Sequence, residues 1–409
     1  MNFNSLAIKI ASRCNLNCSY CFMYNLGDTT YKKQPKFMSS ETVNHIIEKT
    51  KNYVKKYNKK EFSFIFHGGE PLLAPKEFYI EFIQKVKIIQ QEFPDVDFQF
   101  DLQTNGVLLN KEWANLFKEL NISPSISVDG TKKAHDMYRV DHKGKGSYDS
   151  IFKNVQLLKN EMNFADIACV INIEETPIDI YNSFKKMDVS YVNFLIPDYT
   201  HDNYPFDPNK TLMADWLIDL FNIWIQDTNR FKIPLFLGLL NSLMRVNDNA
   251  KNESTVLVIE TNGEIEAIDS LKACGNGFTK TGLNINNHSF DDIQETPLGN
   301  LYFNDFNTKL CNQCLECPLN EICKGGRLVH RYSKEKGFNN ASVYCNDLIK
   351  LIAHIQKFFI SCYPELHEKE NIEAIDPIEI KNYLSTLDNT NSLYEVTLEA
   401  FATQTSLAV

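Results

Sequence analysis

Short apolar runs rich in β-branched and aromatic residues alternate along this chain with longer stretches in which apolar residues return every three or four positions. The short runs, 6–11, 62–67, 97–103, 125–128, 167–173 and 191–196, read as strands. The longer stretches, 39–57, 75–93, 111–120, 147–161 and 177–186, read as helices, and Ser39 with Thr42 offers a cap for the first. Strand and helix repeated in this way imply parallel strands joined by right-handed crossovers. Six such units predict an α/β fold, a partial (β/α)6 TIM-like barrel rather than a closed eightfold one. Its chemistry belongs at the C-terminal ends of the strands.

Beyond residue 196 the pattern changes. Residues 198–210 are polar and turn-rich, and two helical patterns follow at 211–228 and 235–246. From about 253 to 345 the chain becomes short-stranded and rich in cysteine and glycine. A last helix spans 346–362, and the tail beyond 365 is acidic and interrupted, expected to be the least ordered part. The divisions are a barrel at 1–200, a helical connector at 201–252, a small cysteine-rich domain at 253–346 and a C-terminal helix with its tail at 347–409. No repeat of fixed period is present.

Composition narrows the function classes. The 409 residues are 43% hydrophobic and 23% charged, with a net charge of −10. That acidity argues against a generic nucleic-acid partner. The lysines of 49–60 read as the solvated end of a helix. No run of 18 apolar residues exists to cross a membrane, and the first residues lack a signal-peptide layout. The cysteines sit in close groups rather than spread as a disulfide framework, so a reducing cytoplasm is the expected compartment.

The first group is Cys14, Cys18 and Cys21, read C-N-L-N-C-S-Y-C. Three thiolates so close can each hold one corner of a [4Fe–4S] cubane and leave the fourth iron open to a chelating small molecule. A zinc knuckle would close with a fourth Cys or His nearby, and none follows until His45. After the second strand comes His67-Gly68-Gly69-Glu70-Pro71, where two glycines let backbone approach a ligand and the carboxylate can meet an ammonium group. Gln103-Thr104-Asn105-Gly106 and Ser127-Val128-Asp129-Gly130 end the next two strands with polar side chains suited to a ribose and a carboxylate.

With Tyr20 before Cys21, and these segments after it, residues 8–172 resemble the radical SAM enzymes. The resemblance implies a [4Fe–4S] cluster on Cys14, Cys18 and Cys21 and S-adenosyl-L-methionine (SAM) bound beside it. It implies that Gly68, Gly69 and Glu70 hold the methionine amino group, that Tyr20, Thr104 and Asn105 line the site, and that Ser127 meets the ribose. Arg139, in the run H-D-M-Y-R, resembles the arginine that pairs with the SAM carboxylate, a task suited to a bidentate guanidinium. An external electron donor such as flavodoxin or ferredoxin is implied as well.

In the second group, Cys314, Cys317 and Cys323 read CxxCx5C, and Cys345 follows. Tetrathiolate zinc is equally allowed by this spacing. The segment C-L-E-C-P-L-N-E-I-C-K-G-G resembles the SPASM domain of peptide-modifying radical SAM enzymes, whose outer auxiliary [4Fe–4S] cluster takes those four ligands. The inner cluster of that pattern wants a cysteine after Gly325-Gly326, where this chain has Arg327, and one after Asn262-Gly263, where it has Asp269. Cys274 and Cys311 are the nearest inner candidates, too few without other ligands. Cys169 and Cys362 read as buried thiols.

The extension Phe22–Ser39 and the segments 260–272 and 279–285 resemble the SPASM maturases that form cyclophanes in ribosomally made precursor peptides. That resemblance implies hydrogen abstraction at a Cβ, attack on an aromatic ring, and a carboxylate base, for which Asp198 and Asp269 are the candidates. The anaerobic sulfatase maturases, which oxidise Cys or Ser to formylglycine, are the second enzymatic reading. The reduced inner cysteine set argues against it. A catalytically silent iron–sulfur peptide-binding scaffold is the third, and the complete set of SAM motifs argues against that. A start almost at the first strand implies no fused leader-binding domain, and the tail 392–409, with Tyr394 and Phe401, offers a weak imitation of a substrate peptide.

Overall fold

The computed structural model describes residues 3–163, 166–244, 256–303, 309–370 and 372–387. Six parallel strands, β1 (Ser5–Ala11), β2 (Glu61–Gly68), β3 (Asp97–Thr104), β4 (Ile122–Ser127), β5 (Asp166–Val170) and β6 (Tyr191–Leu195), lie in sequential order. Between them run α1 (Ser40–Lys56), α2 (Lys76–Glu92), α3 (Lys111–Leu120), α4 (Lys132–Tyr138), α5 (Tyr148–Met162) and α6 (Pro177–Met187). This is the partial barrel that the alternation implied.

The strands have two unlike faces. In β2 every second residue is buried, and Phe62, Phe64 and Phe66 pack outward with Phe98 and Phe100 of β3 under α2. The Phe66 ring lies 5.0 Å from Tyr79, and Phe64 lies 5.2 Å from Phe82. The opposite face is polar: Ser63 donates to Asp101 at 2.6 Å, and Lys9 is fully buried beside His67. That polarity explains why simple hydrophobic runs marked the strands only approximately. Side-chain caps fix the helix starts, with Ser39 accepting from the Thr42 amide and Asn110 from that of Trp113.

Two departures concern the C-terminal part. The strand β7 (Val256–Ile259) pairs in parallel with β1, and β8 (Ile265–Glu266) turns back on β7. The first strands after residue 253 therefore extend the barrel sheet, to the order β6-β5-β4-β3-β2-β1-β7-β8, rather than opening a separate domain. Four-residue and two-residue strands are too short to show a period. The tail beyond 365 is also more structured than expected: Pro377–Ser385 forms a helix, capped by Asp376, that lays Ile380 and Leu384 against the helix Cys345–Cys362.

In the connector, α7 (Leu212–Gln226) and α8 (Pro234–Leu243) pack on that same long helix, where Asp347 accepts the Ala214 amide at 2.8 Å. Cys169 is buried, whereas Cys362 is exposed at the last turn of its helix, which corrects its reading as a buried thiol. The end of the 235–246 pattern and the tail 392–409 lie outside the described residues. No helix among those described is long and apolar enough to cross a membrane.

Candidate active site

The cluster loop leaves β1 just after a register slip between Lys9 and Ala11, a bulge that re-aims the strand end. His67-Gly68-Gly69 runs hard against it. The Gly69 amide donates to Ala11 O at 2.8 Å and the Glu70 amide to Arg13 O at 2.9 Å. A Cβ on Gly69 would come within 2.4 Å of Arg13 O and 1.9 Å of the Tyr24 hydroxyl, so only glycine fits. The loop's far side is sewn to the residues after α4. There the Asn17 amide donates to Val140 O at 2.7 Å and the Ser19 amide to Tyr138 O at 3.2 Å.

Cys14, Cys18 and Cys21 line one wall of a cavity of about 310 Å³. Its other walls carry Tyr20, Gly68, Gly69, Gln103, Thr104, Asn105, Ser127, Arg139 and Asp198. Burial first, and then neighbouring Glu70 and the other two thiols, push the Cys14 thiol up to about 12; burial and Cys18 push Cys21 up to about 11. Three thiolates facing one cavity repel each other unless a cationic core compensates them, and that is the donor set a cubane corner takes. Among the described residues no three Cys, His, Asp or Glu side chains close tightly enough to chelate a single ion. It is the three thiols lining one cavity that fit an iron–sulfur core.

Glu70 departs from the expected ammonium contact. It is fully buried and absent from the cavity wall. Its carboxylate accepts from the Leu72 amide (3.0 Å), the Thr104 hydroxyl (2.6 Å) and the Asn105 amide (2.8 Å). Burial outweighs these donors and raises its carboxyl to about 7. Glu70 thus fixes the end of β3, and Asn105 in turn reaches Asn15 at 2.8 Å and the Cys14 sulfur at 3.6 Å.

A second buried network was missed by the sequence reading. Asp129 is 1% exposed and takes Arg139 Nε at 2.9 Å, the Tyr20 hydroxyl and the Val170 amide at 3.0 Å. Arg139 also lies 5.4 Å over the Tyr20 ring. Burial would lower the guanidinium's pKa, but Asp129 outweighs it. His135, fully buried, takes the Asp129 amide at 3.2 Å and meets Ser147 Oγ at 2.9 Å. Burial drops its pKa to about 4, so it bridges as a neutral ring. The signal for α4, which carries His135, was Thr131, whose side chain caps the helix by accepting the Ala134 amide.

The two candidate bases diverge. Asp198 lines the cavity, and burial raises its carboxyl despite an ion pair to Arg327 at 2.5 Å. Asp269 lies off the cavity wall, ion-paired to Lys9, whose ammonium also sits 2.8 Å from His67 Nδ1. Burial would raise Asp269, but Lys9 holds it well below the usual carboxylate range. A carboxylate so held is a poor base, which corrects its candidacy.

In the C-terminal part Cys314, Cys317, Cys323 and Cys345 surround one small apolar cavity walled by Leu319, Ile349, Ile352 and Leu384. Burial first, and then the neighbouring thiols, push Cys323 to about 11 and Cys345 to about 12. Cys311 packs beside Cys314 in this group. Cys274 sits apart, in an apolar cluster with Leu271, Phe278 and Val329. The two therefore lie in different packed clusters.

The radical SAM superfamily model matches residues 8–182. A cysteine-type anaerobic sulfatase-maturating enzyme of Clostridium novyi is 30% identical over 366 residues, covering 83% of this chain and 92% of that protein. A serine-type enzyme of the same description from Bacteroides thetaiotaomicron is 26% identical, covering 88% and 91%. The solved structure of native anSMEcpe with bound AdoMet and Kp18Cys peptide superposes with a TM-score of 0.74 at 25% identity, covering 88% of this chain and 98% of that one. Streptococcus suis SuiB bound to S-adenosylmethionine shares the fold at a TM-score of 0.51 and 17% identity, covering 80% and 73%.

Proposed function

The chain belongs to the radical SAM superfamily, in its SPASM-containing maturase branch, and on that premise we propose that it modifies a ribosomally made precursor peptide by joining an aromatic ring to a side-chain Cβ. Cys14, Cys18 and Cys21 would hold the family's [4Fe–4S] cluster, with SAM beside it, and Cys314, Cys317, Cys323 and Cys345 an auxiliary one. Together these groups supply one-electron cleavage of SAM, hydrogen-atom abstraction from the peptide, and a sink for the electron that cross-linking releases.

The protein's own part is positioning and proton transfer. Arg139, anchored through Nε on Asp129, lines the cavity and would meet the SAM carboxylate with its guanidinium. Ser127, oriented by Gln103 Nε2 at 3.0 Å, serves the ribose. Gly68 and Gly69 offer backbone to the methionine end, while Glu70 fixes Thr104 and Asn105 rather than the ligand itself. Asp198, its carboxyl raised by burial, takes the proton lost when the ring regains aromaticity, and Arg327 holds it at the cavity wall.

The observation that carries the cross-linking reading is the pair Asp198–Arg327, standing in the cavity wall where the SPASM pattern has an inner-cluster cysteine. Arg327 stands at that cysteine position and holds Asp198 in the cavity wall as a base. The 30% identity to a cysteine-type sulfatase-maturating enzyme favours formylglycine formation as the second reading. Reduced, reconstituted protein would be incubated with SAM and the peptide encoded by a short aromatic-containing reading frame beside its gene. Cross-linking predicts 5′-deoxyadenosine and a peptide lighter by two hydrogens per link. A Cys or Ser converted to an aldehyde would establish the second reading, and no SAM cleavage at all would leave a binding scaffold.

A further inference from the structure

The SPASM pattern implies an inner auxiliary cluster, and the residues present do not fit one. The four positions nearest to its ligand pattern are each committed to other partners, although Asp269 and Cys274 both lie within electrostatic reach of Asp198. Asp269 is ion-paired to Lys9 of β1, with side chains 18% and 1% exposed. Arg327 is ion-paired to Asp198 just beyond β6 and donates to Ile196 O at 3.3 Å. Cys274 is buried among Leu271, Phe278, Leu298, Leu301 and Phe338, a packed apolar cluster with no second thiol. Cys311 packs with Cys314 at the outer group.

The charges around this region are also of the wrong kind for a replaced ligand set. An iron–sulfur core with thiolate ligands is anionic and gains from nearby backbone donors, but a ligand carboxylate must be free to leave its cation. Asp269 is not free, because Lys9 is buried on the inner face of the barrel and Asp269 is the carboxylate that reaches it. Freeing Asp269 for iron would take from that ammonium its direct ion-pair partner and leave it the more distant Glu260, which is itself paired to Lys272. Lys272, three residues on and 1% exposed, is likewise committed to Glu266 at 2.7 Å and Glu260 at 3.0 Å.

We infer that this chain carries no inner auxiliary cluster and that two ion pairs, Lys9–Asp269 and Asp198–Arg327, occupy its place and clasp the C-terminal part onto the barrel. One pair fastens it to β1 and the other to the chain leaving β6, the two ends of the six-stranded parallel run. Neither pair can carry an electron; they supply attachment and charge, and Asp198 a carboxylate at the cavity wall. Among the described residues the outer thiol group is then the one auxiliary site.

The test uses full-length protein reconstituted anaerobically, with iron and sulfide counted per chain and the reduced clusters read by electron paramagnetic resonance. The expected content is about eight iron and eight sulfide, two cubanes of four. A content of about twelve overturns the inference. Cys274→Ala is expected to leave the count unchanged, and a loss of about four iron in that variant overturns it even at a wild-type total of eight. Lys9→Met and Arg327→Ala separate the clasp from mere packing. Lys9→Met is expected to lower the thermal midpoint by on the order of 10 °C with iron content kept, since it leaves a buried carboxylate unpaired. Should Lys9→Met fail to fold, Arg327→Ala, at the more exposed pair, gives the same readout with a smaller shift. Unchanged midpoints in both variants would remove the clasp. These readouts need no peptide substrate, so they stand or fall apart from the cross-linking chemistry.

Discussion

The two cysteine groups are built on opposite plans. Cys14, Cys18 and Cys21 hang from a loop whose backbone is tied to two neighbours, the Gly68-Gly69 turn and the segment after α4, and they face a cavity of about 310 Å³ whose walls mix polar strand ends with apolar side chains. Cys314, Cys317, Cys323 and Cys345 face a cavity of about 20 Å³ walled by Leu319, Ile349, Ile352 and Leu384. The first group has three thiols and room for a further ligand. The second has four or five thiols and none. Open coordination makes a reactive centre and closed coordination an electron carrier or staple, a contrast familiar from metal sites in general. The surroundings agree with the chemistry: hydrogen-bond donors and charges around the open group, aliphatic carbons around the closed one.

The largest expected effect breaks this comparison at its root. Replacing Cys14, Cys18 and Cys21 together by Ala should abolish SAM cleavage and halve the iron, from about eight to about four per chain. The thermal midpoint should move little, because those thiols line a cavity and anchor no core. Cys317→Ala with Cys323→Ala should also remove about four iron, yet spare SAM cleavage and lower the midpoint, because apolar walls would close on nothing. Iron assay, a 5′-deoxyadenosine assay and calorimetry together check both. If the outer variant lost SAM cleavage while the loop variant kept it, the assignment of open and closed sites would be reversed.

A middle-sized effect sharpens the open side. Asp129→Asn keeps the shape of the side chain but removes the charge that Arg139 and Tyr20 converge on. SAM affinity should fall by about 10- to 100-fold, the cost of loosening one charge-assisted contact at 1.5–3 kcal/mol, with iron content unchanged. Arg139→Ala should weaken SAM at least as much. Equilibrium dialysis of SAM with the reconstituted variants gives the answer, and unaltered affinity in both would mean that Arg139 does not meet the ligand.

Much of the open site was legible because its residues sit at strand ends, where period-2 runs stop and polar or glycine residues begin. Cys14, Gly69, Asn105, Ser127 and Arg139, singled out by their motifs and the family resemblance those motifs carry, all line the one cavity. What stayed hidden depends on contacts across the sheet. Lys9 sits in a mostly apolar strand, and nothing local says that a buried ammonium will claim Asp269, 260 residues away. That claim removed Asp269 from the bases. Glu70 misled for a similar reason: its motif suggested a ligand contact, but three donors from the next strand and turn reach it first. The short β7 and β8 were invisible as barrel strands because pairing with β1, not composition, makes them strands.

The smallest effect concerns how the open site's network responds to acid. His135 is neutral and buried, with its pKa lowered to about 4 against 6.5 for the free ring. Between those values the unfolded chain binds a proton at this position and the folded chain does not, so stability rises with pH from about 4 to 6.5 and is lost as pH falls. The full interval would correspond to on the order of 3 kcal/mol. Glu70 works against it: with its carboxyl raised to about 7, the folded chain holds a proton that the unfolded chain releases above 4.5, so its share of stability declines as pH rises to 7. Comparison with a variant isolates the histidine. His135→Gln keeps a side chain able to bond the Asp129 amide and Ser147 but cannot titrate. It should be less stable than the wild type near pH 7, yet lose less on acidification to pH 4.5, so the two denaturation curves converge. Parallel pH profiles would show that His135 is not the group that acid must charge, and that the network around Asp129 yields through some other member first.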